Sequence, residues 1–400
     1  MTQIVKIGNI STQIRGVSYS KSDVIANMQD GYLPVLRANN IQEQGLVLDD
    51  FVYVPESKIS EKQRILAGDV IIAASSGSIS LVGKAASAKE DINAGFGAFC
   101  KILRPNTELV DPRYFANYFQ TQKYRQIISN LAAGANINNL KNEHLDDLEI
   151  PLPPLAEQRR IASILDQADE LRQKRQQAIE KLDQLLQATF IDMFGDPVSN
   201  PKGWERVSAK NVLKIQGGFA FSSTDFSKSG IPVVKIGNAN KLGFSTEKFD
   251  FIIPQYPEKL TQYELRSGDL LMSLTGTVGK DDYGNITEVT DDYDLYYLNQ
   301  RVAKLEVTNT LFSKNYIRYF FSQSSIKALI TKNNRGVRQA NISNSDLYEL
   351  DIPLPTKAQL DKFDSFIESI NETKRYSKVQ LISSNKLFFA LQNQAFNGTL

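Results

Sequence analysis

Apolar positions in this chain follow two periods in succession. Short β-rich runs come first: Phe51-Val52-Tyr53-Val54, Val70-Ile71-Ile72-Ala73 and Phe99-Cys100-Lys101-Ile102-Leu103, punctuated by Gly, Asn and Ser, predict strands and turns. From Pro112 to Ser129 the residues Tyr114, Phe115, Tyr118, Phe119, Ile127 and Ile128 fall close to a 3.6-residue period, which predicts one helix with an aromatic core face. Pro151, Pro153 and Pro154 stop the preceding element, and a helix can begin directly after them because proline is tolerated in a first turn. A heptad follows. Ile161, Ile164, Ala168, Leu171, Arg175, Ala178, Leu182, Leu185 and Thr189 alternate three and four apart, with Leu165, Arg172, Ile179, Leu186 and Met193 as a flanking seam. Running from Ala156 to about Met193, this helix is 38 residues and ~57 Å long, and its apolar stripe requires a helical partner.

The whole succession then recurs. Leu148-Glu149-Ile150-Pro151-Leu152-Pro153 returns as Leu350-Asp351-Ile352-Pro353-Leu354-Pro355, displaced by 202 residues, as are Gly16 and Gly218, Tyr114 and Tyr316, and Gly134 and Gly336. The offset drifts to 200 at Gly68-Asp69 against Gly268-Asp269 and to 196 at Gly83-Lys84 against Gly279-Lys280, as expected if insertions fall in loops of one repeated fold. The partner helix is expected in the second half. Phe363, Phe366 and Ile370 begin its register and Leu387 and Leu391 end it, while polar Thr373, Ser377, Gln380 and Ser384 in its middle predict a shift toward Val379 and Ile382. Phe194-Gly195-Asp196-Pro197 ends the first long helix, and Phe396-Asn397-Gly398 stands at the matching place in the second copy. Two similar units with paired helices imply an approximate twofold axis, suited to a two-part target.

Composition narrows the chemistry. With 42% hydrophobic and 23% charged residues the chain is an ordinary globular one, and no apolar run approaches the ~18 residues of a membrane span. The single Cys100 excludes an intramolecular disulfide and fits a reducing cytoplasm, and Met1 to Gly16 lacks the pattern of a secretory signal. One histidine, His144, leaves few routes to zinc or Ser-His and Cys-His chemistry, and its acidic setting, Asn142 to Asp147, suggests a partly exposed, ion-paired side chain. Gly77 to Lys84 misses the phosphate-loop spacing and has Ala85 where Ser or Thr is needed. Pro153-Pro154, between Leu152 and Leu155, lacks the Asn/Asp-Pro-Pro-aromatic motif of an adenine methyltransferase, and the carboxylates of Asp50 and Glu56 have no counterparts in Pro254-Gln255-Tyr256-Pro257. No catalytic residue and no metal ligand is assigned. A net charge of +1 leaves a nucleic-acid partner open, since phosphate binding needs only a local basic surface.

What remains are polar, glycine-spaced loops at equivalent points of both halves. In the first half the candidate DNA contacts are Lys21, then Arg37, Asn39 and Asn40, then Ser75, Ser76, Ser78 and Lys84, then Asn136 and Asn138. Their counterparts in the second half are Ser222 and Ser223, Lys235 and Asn238, Thr275, Thr277 and Lys280, and Arg335, Arg338, Gln339 and Asn341. Arg suits guanine edges, Asn and Gln suit adenine edges, and Lys, Ser and Thr suit phosphates. Candidate partner-binding and spacer positions on the helices are Gln158, Ile161, Leu165, Leu171, Leu182 and Leu185, and Phe363, Phe366, Ile370, Leu387 and Leu391. A coiled-coil scaffold that holds proteins without touching DNA is the competing class.

These residues resemble the specificity subunit of Type I restriction-modification systems over nearly the whole chain. The resemblance rests on Leu66-Ala67-Gly68-Asp69-Val70-Ile71, on Ile150-Pro151-Leu152-Pro153-Pro154-Leu155-Ala156-Glu157-Gln158 leading into the long helix, and on Phe194-Gly195-Asp196-Pro197 before a Pro-Lys-Gly-Trp linker. The second copy departs from the pattern with Thr356-Lys357-Ala358-Gln359. The resemblance implies an α+β fold of two tandem mixed α/β target-recognition domains related by a pseudo-twofold and joined by two long antiparallel helices forming a coiled-coil pair. The expected boundaries are 1–153 for the first domain, 154–194 for the central helix, 195–203 for a linker, 204–355 for the second domain and 356–396 for the distal helix. It further implies a non-catalytic, cytoplasmic subunit of a bacterium or archaeon that reads a bipartite, interrupted sequence in double-stranded DNA. Two methyltransferase subunits and the restriction/motor subunits would be its partners. No cofactor is expected on this chain, with S-adenosylmethionine, ATP and Mg on the partner subunits.

Overall fold

The computed structural model describes residues 3–42, 45–76, 81–134, 139–241, 243–278, 281–332 and 339–400. The chain forms two compact units, one made of 1–177 with 378–400 and the other of 178–377. Each unit thus takes half of both long helices, where the sequence reading had set the helices apart from the domains.

In the first unit a four-stranded antiparallel sheet has the order Ser11–Arg15, Cys100–Pro105, Val70–Ala73, Ala85–Ser87. A three-stranded sheet places Tyr32–Leu36 between antiparallel Val52–Pro55 and parallel Gly95–Phe96. Gln3–Lys6 pairs antiparallel with Glu149–Leu152 and brings the two ends of the domain together. The helices are α1 (Pro112–Tyr118), α2 (Gln122–Gly134), α3 (Asn142–Asp146) and the first part of α4 (Leu155–Phe194). The single helix expected over 112–129 is broken at Phe119–Thr121, because Thr121 accepts from Tyr124 N through Oγ1 at 3.1 Å and restarts the helix on a new axis. Its aromatics are core as expected: Tyr114, Phe115, Tyr118, Phe119 and Tyr124 pack with Ile161 and Leu165 of α4.

The second unit repeats the plan. Its four-stranded sheet runs Leu213–Gly217, Val302–Val307, Leu270–Ser273, Ile286–Glu288, and Glu205–Ser208 pairs with Asp351–Leu354 as Gln3–Lys6 does with Glu149–Leu152. Helices α5 (Lys314–Ser322), α6 (Ser324–Thr331) and α7 (Asn344–Tyr348) precede α8 (Lys357–Asn397). Equivalent residues make equivalent bonds. Tyr114 donates to Pro151 O at 2.9 Å and Tyr316 to Pro353 O at 2.8 Å, so each aromatic helix is tied to the proline strand that leads into a long helix. Gly16 and Gly218 allow a close passage of two backbones, since a Cβ would come within 2.1 Å of Gly97 O in one unit and 2.3 Å of Asn299 O in the other.

In each unit the two long helices run antiparallel. Ile161 and Leu165 near the start of α4 share a core with Ala395 and Phe396 at the end of α8, and Leu186, Phe190 and Phe194 at the end of α4 pack with Leu360, Phe363 and Ile367 at the start of α8. Ile370 is buried and Leu182, Phe366 and Leu391 pack partly against these cores. The register differs from the expected one. Leu171, Leu185 and Leu387 are exposed, as are Val379 and Ile382, while the flanking positions Ile179 and Leu186 are buried. The buried seam is carried through its polar stretch by other means: Arg172 lies 4.5 Å from the centre of the Phe388 ring, Arg175 donates to Gln380, and Lys374 pairs with Asp183. Long basic side chains bury their stems while their charged ends reach a partner, so polar positions can hold a seam that apolar counting misassigns. Gln158, expected on a partner surface, is also internal; its amide donates to Pro153 O and Leu109 O and accepts from Asp111 N. No helix among the described residues is long and apolar enough to cross a membrane.

Candidate nucleic-acid interface

In each unit, three segments far apart in sequence meet at one edge. In the first unit Leu36 leads into the Arg37 loop, and Leu36 O accepts from Gly97 N at 2.8 Å. Gly97 opens a tight turn closed by Cys100 N donating to Gly97 O at 2.8 Å, and Phe99 O in that turn accepts from both Ala74 N and Ser75 N, at 2.9 and 3.0 Å. Ser75 in turn bridges to Asn139, and Ala74 O accepts from Leu140 N at 2.7 Å. The second unit builds the same edge: Asn299 N donates to Val234 O at 3.1 Å beside the Lys235 loop, Val302 N closes the turn onto Asn299 O at 2.9 Å, and Leu274 N donates to Arg301 O at 2.9 Å. There Thr275–Thr277 pairs with Gln339–Asn341, Thr275 opposite Asn341 and Thr277 opposite Gln339. The candidate loops around 37, 75 and 139, and those around 235, 275 and 339, are therefore neighbours along one edge of their unit.

The side chains divide into braces and free ends. Asn40 is buried, with Oδ1 accepting from Arg37 N at 2.8 Å and Nδ2 donating to Val47 O at 2.8 Å and Asp49 O at 2.6 Å. Asn238 is buried in the same way between Lys235 N, Ser245 O and Lys248 O. Both amides are consumed within their loops, where they act as braces; a short polar side chain that satisfies three backbone groups stabilises the turn from inside. Ser222 is likewise a local cap, its N–H bonded to Asp225 Oδ2 at 2.7 Å, as Ser20 caps through Asp23 in the first unit. Ser223 and Lys21 occupy the short turns that these caps stabilise and are exposed.

The basic groups of the two flanking loops, Arg37 and Lys235, carry their own counter-charges. Arg37 donates through Nη2 to Asp50 O at 2.8 Å and Oδ2 at 3.1 Å, and Asn39 Nδ2 reaches the same carboxylate at 2.8 Å. Asp50 adopts a positive φ of 48°, a conformation a non-glycine residue holds only when its surroundings require it. Lys235 pairs with Asp250 at 2.5 Å and stands 3.6 Å from the centre of the Phe226 ring. Tyr19, half-buried near Arg37, has its hydroxyl pushed up from the ordinary phenol range by burial, against which the Arg37 charge acts. Thr277 N donates to Asp282 Oδ1 at 2.8 Å, and Thr275 Oγ1 is buried without a partner among the described residues. Asn341 is exposed on its strand, and Ser76 is half-buried beside Ser75. Lys84 stands off the edge, on the wall of a groove of about 1440 Å³ that it shares with Arg113, Arg125, Asp166 and Phe388. Ser78, Asn136, Asn138, Lys280, Arg335 and Arg338 lie outside the described residues, as does the side chain of Gln339.

Two further groups bear on chemistry. Cys100 is buried and its thiol is pushed up to about 12 by burial, so it is held as the unreactive thiol. His144 is half-buried, and its Nδ1 accepts from Lys141 N at 3.3 Å as a cap of α3 where an ion pair was expected. Reading by residue type passed over the two tip turns, where Phe99 and Arg301 are exposed together with Ala98 and Gln300. Phe99 had been taken as the start of a strand; the 202-residue offset that aligns it with Arg301 was the available signal.

The duplicated domain has a match among known proteins. The Type I restriction modification DNA specificity domain matches twice, over residues 2–181 and 201–381. The chain belongs to that family. A Type I specificity subunit is the DNA sequence-recognition component of its system, and this chain is similar to the EcoKI specificity subunit of Escherichia coli K12, with 29% identity covering 99% of this chain and 89% of the relative. It is 42% identical to the StySPI specificity subunit of Salmonella potsdam over 46% of this chain and 40% of the relative. A solved chain from a study of complex assembly and conformational transition of the type I R-M system shares its fold, with a TM-score of 0.52, 18% identity and coverage of 100% and 98% of the two chains.

Proposed function

We propose that this specificity subunit reads a bipartite, interrupted target in double-stranded DNA, one half-site through the edge around Arg37, Ser75 and Asn139 and the other through the edge around Lys235, Thr275 and Asn341. The observation that carries the reading is that the same three-segment edge is built in both units from different side chains, on backbone pairings that recur in both, such as Ser75 opposite Asn139 and Thr275 opposite Asn341. Repeated backbone with divergent side chains is what two independent readers of different words require. Arg37 and Lys235 on the flanking loops are paired with carboxylates in the free chain, so phosphates would compete with Asp50 and Asp250 for them, which weakens binding to arbitrary sequence.

The chain would perform no chemistry itself. It would dock two methyltransferase subunits, and through the complex the restriction/motor subunits, with S-adenosylmethionine, ATP and Mg held by those partners and the whole acting in the cytoplasm of its host. The exposed faces of α4 and α8, with Leu171, Leu185, Leu387, Val379 and Ile382, supply apolar surface for such docking. Gel-shift titration of the chain alone and with its methyltransferase subunits, at fixed salt, tests the reading: the assembled complex retains one interrupted duplex over scrambled competitors. A chain that binds methyltransferase yet confers no sequence preference would be a scaffold only.

A further inference from the structure

Phe99 and Arg301 occupy the same position of the same turn in the two units. Each is third in a four-residue turn, Gly97–Cys100 in one unit and Asn299–Val302 in the other, closed by a bond between the first carbonyl and the fourth N–H at 2.8 and 2.9 Å. The turn is anchored on one side to the Arg37 or Lys235 loop through Leu36 O or Val234 O, and on the other to the Ser75 or Thr275 segment through the carbonyl of Phe99 or Arg301 itself. Each residue therefore stands at the centre of its edge, with its main chain fixed by two neighbours and its side chain exposed.

The two side chains differ as far as side chains can. Phe99 is 68% exposed although its neighbours Phe96, Cys100 and Ile102 are buried, and an aromatic ring left in water at a rigid turn forgoes the stabilisation that burial would give. Arg301 is exposed on the equivalent tip with no carboxylate among the described residues paired to it, unlike Arg37 and Lys235 on the flanking loops. A ring presented this way suits the apolar faces and methyl groups of bases, while a guanidinium suits the guanine O6 and N7 acceptors in the major groove.

We infer that Phe99 and Arg301 are specificity-determining residues, each contacting bases at the centre of its half-site: Phe99 by apolar contact with a thymine methyl or an adjacent base face, Arg301 by hydrogen bonds to a guanine edge. The inference rests on the DNA-reading function proposed above. It adds that equivalent positions use opposite chemistry, so the two half-sites differ at their matched central base pair.

The test uses the full chain assembled with its methyltransferase subunits. The motif is first found by sequencing the methylated DNA of a host that expresses the complex, and binding is then measured against duplexes carrying every single base-pair change in it. Phe99→Ala is expected to reduce discrimination at one base pair of one half-site by about 5-fold to 100-fold, with the salt dependence of binding unchanged. Arg301→Gln should do the same at one base pair of the other half-site. Because both side chains are exposed, thermal unfolding should match the parent chain, and Phe99→Leu should restore part of the apolar preference. Unchanged base preferences, or weakening by the same factor on all duplexes, would overturn the inference, since the side chains would then be idle or would touch only phosphates. A parent complex that prefers no duplex would instead overturn the recognition reading itself.

Discussion

Arg104 grips both carboxylate oxygens of Asp69, through Nε at 2.8 Å and Nη2 at 2.7 Å, and Asp69 accepts Leu66 N in the turn that precedes its strand. The second unit has Lys304 on Asp269 at 2.7 Å in the same place. The Asp69 side chain is 1% exposed and that of Asp269 is 23%, so the two pairs differ in how much an orphaned charge costs. Arg104→Ala is expected to lower the stability of its unit by about 3 kcal/mol, and Lys304→Ala by about 1 kcal/mol. Urea unfolding of the full chain, read as the shift of the earlier transition, checks the ranking; equal effects would contradict the burial difference.

The seam of the long helices gives a prediction that separates the observed register from the one counted by apolar spacing. Leu186→Ala and Phe363→Ala each remove a wholly buried side chain and should cost about 3 kcal/mol or more. Leu171→Ala and Leu185→Ala should cost no more than about 0.5 kcal/mol, because both are largely exposed. Thermal unfolding decides between the two registers through Leu186 against Leu171 and Leu185, since Phe363 belongs to the seam in both.

How far the sequence could be read follows from these cases. The duplication, the strands, the aromatic cores and both long helices were legible because each rests on periodicity or repeated spacing, which burial enforces. The seam register was not, since Arg172 over Phe388 and Lys374 with Asp183 fill positions that no hydrophobic pattern marks. The candidate edges were legible as places and poorly legible as residues. Asn40 and Asn238 look like adenine readers by type and serve as loop braces, because the amide that pairs with a base edge pairs equally well with a backbone. Phe99 was hidden by the opposite confusion, a β-former at the end of a strand whose side chain faces water.

Braces and readers respond differently to substitution. Asn40→Ala and Asn238→Ala should each destabilise by about 2 kcal/mol, since three backbone groups lose their partner at once. Binding should weaken without any change in the preferred bases, measured by competition among single-change duplexes. A new preference at one base pair would make these residues readers after all.

Buried phenols set the alkaline limit. Burial holds the hydroxyls of Tyr114, Tyr118, Tyr316 and Tyr319 above the ordinary range, with Tyr118 and Tyr319 at about 12. The unfolded chain releases those protons near pH 10, so their contribution is complete below about pH 10 and is lost as pH rises toward the folded values. Phenolate absorbance of these residues should therefore rise together with loss of helical circular dichroism. Tyr118→Phe should leave stability unchanged or improve it, because its buried hydroxyl has no partner among the described residues, whereas Tyr316→Phe forfeits the bond to Pro353 O and should cost about 1 kcal/mol.

The most direct test replaces residues 205–354 with a second copy of residues 3–152, segments of equal length that begin and end on equivalent paired strands. Sequencing the methylated DNA of a host carrying this chain and its partner subunits should reveal an interrupted palindrome in which the first half-site appears twice. Methylation of the original asymmetric motif, or of a motif in which neither half is retained, would contradict the claim that each unit reads its own half of the target.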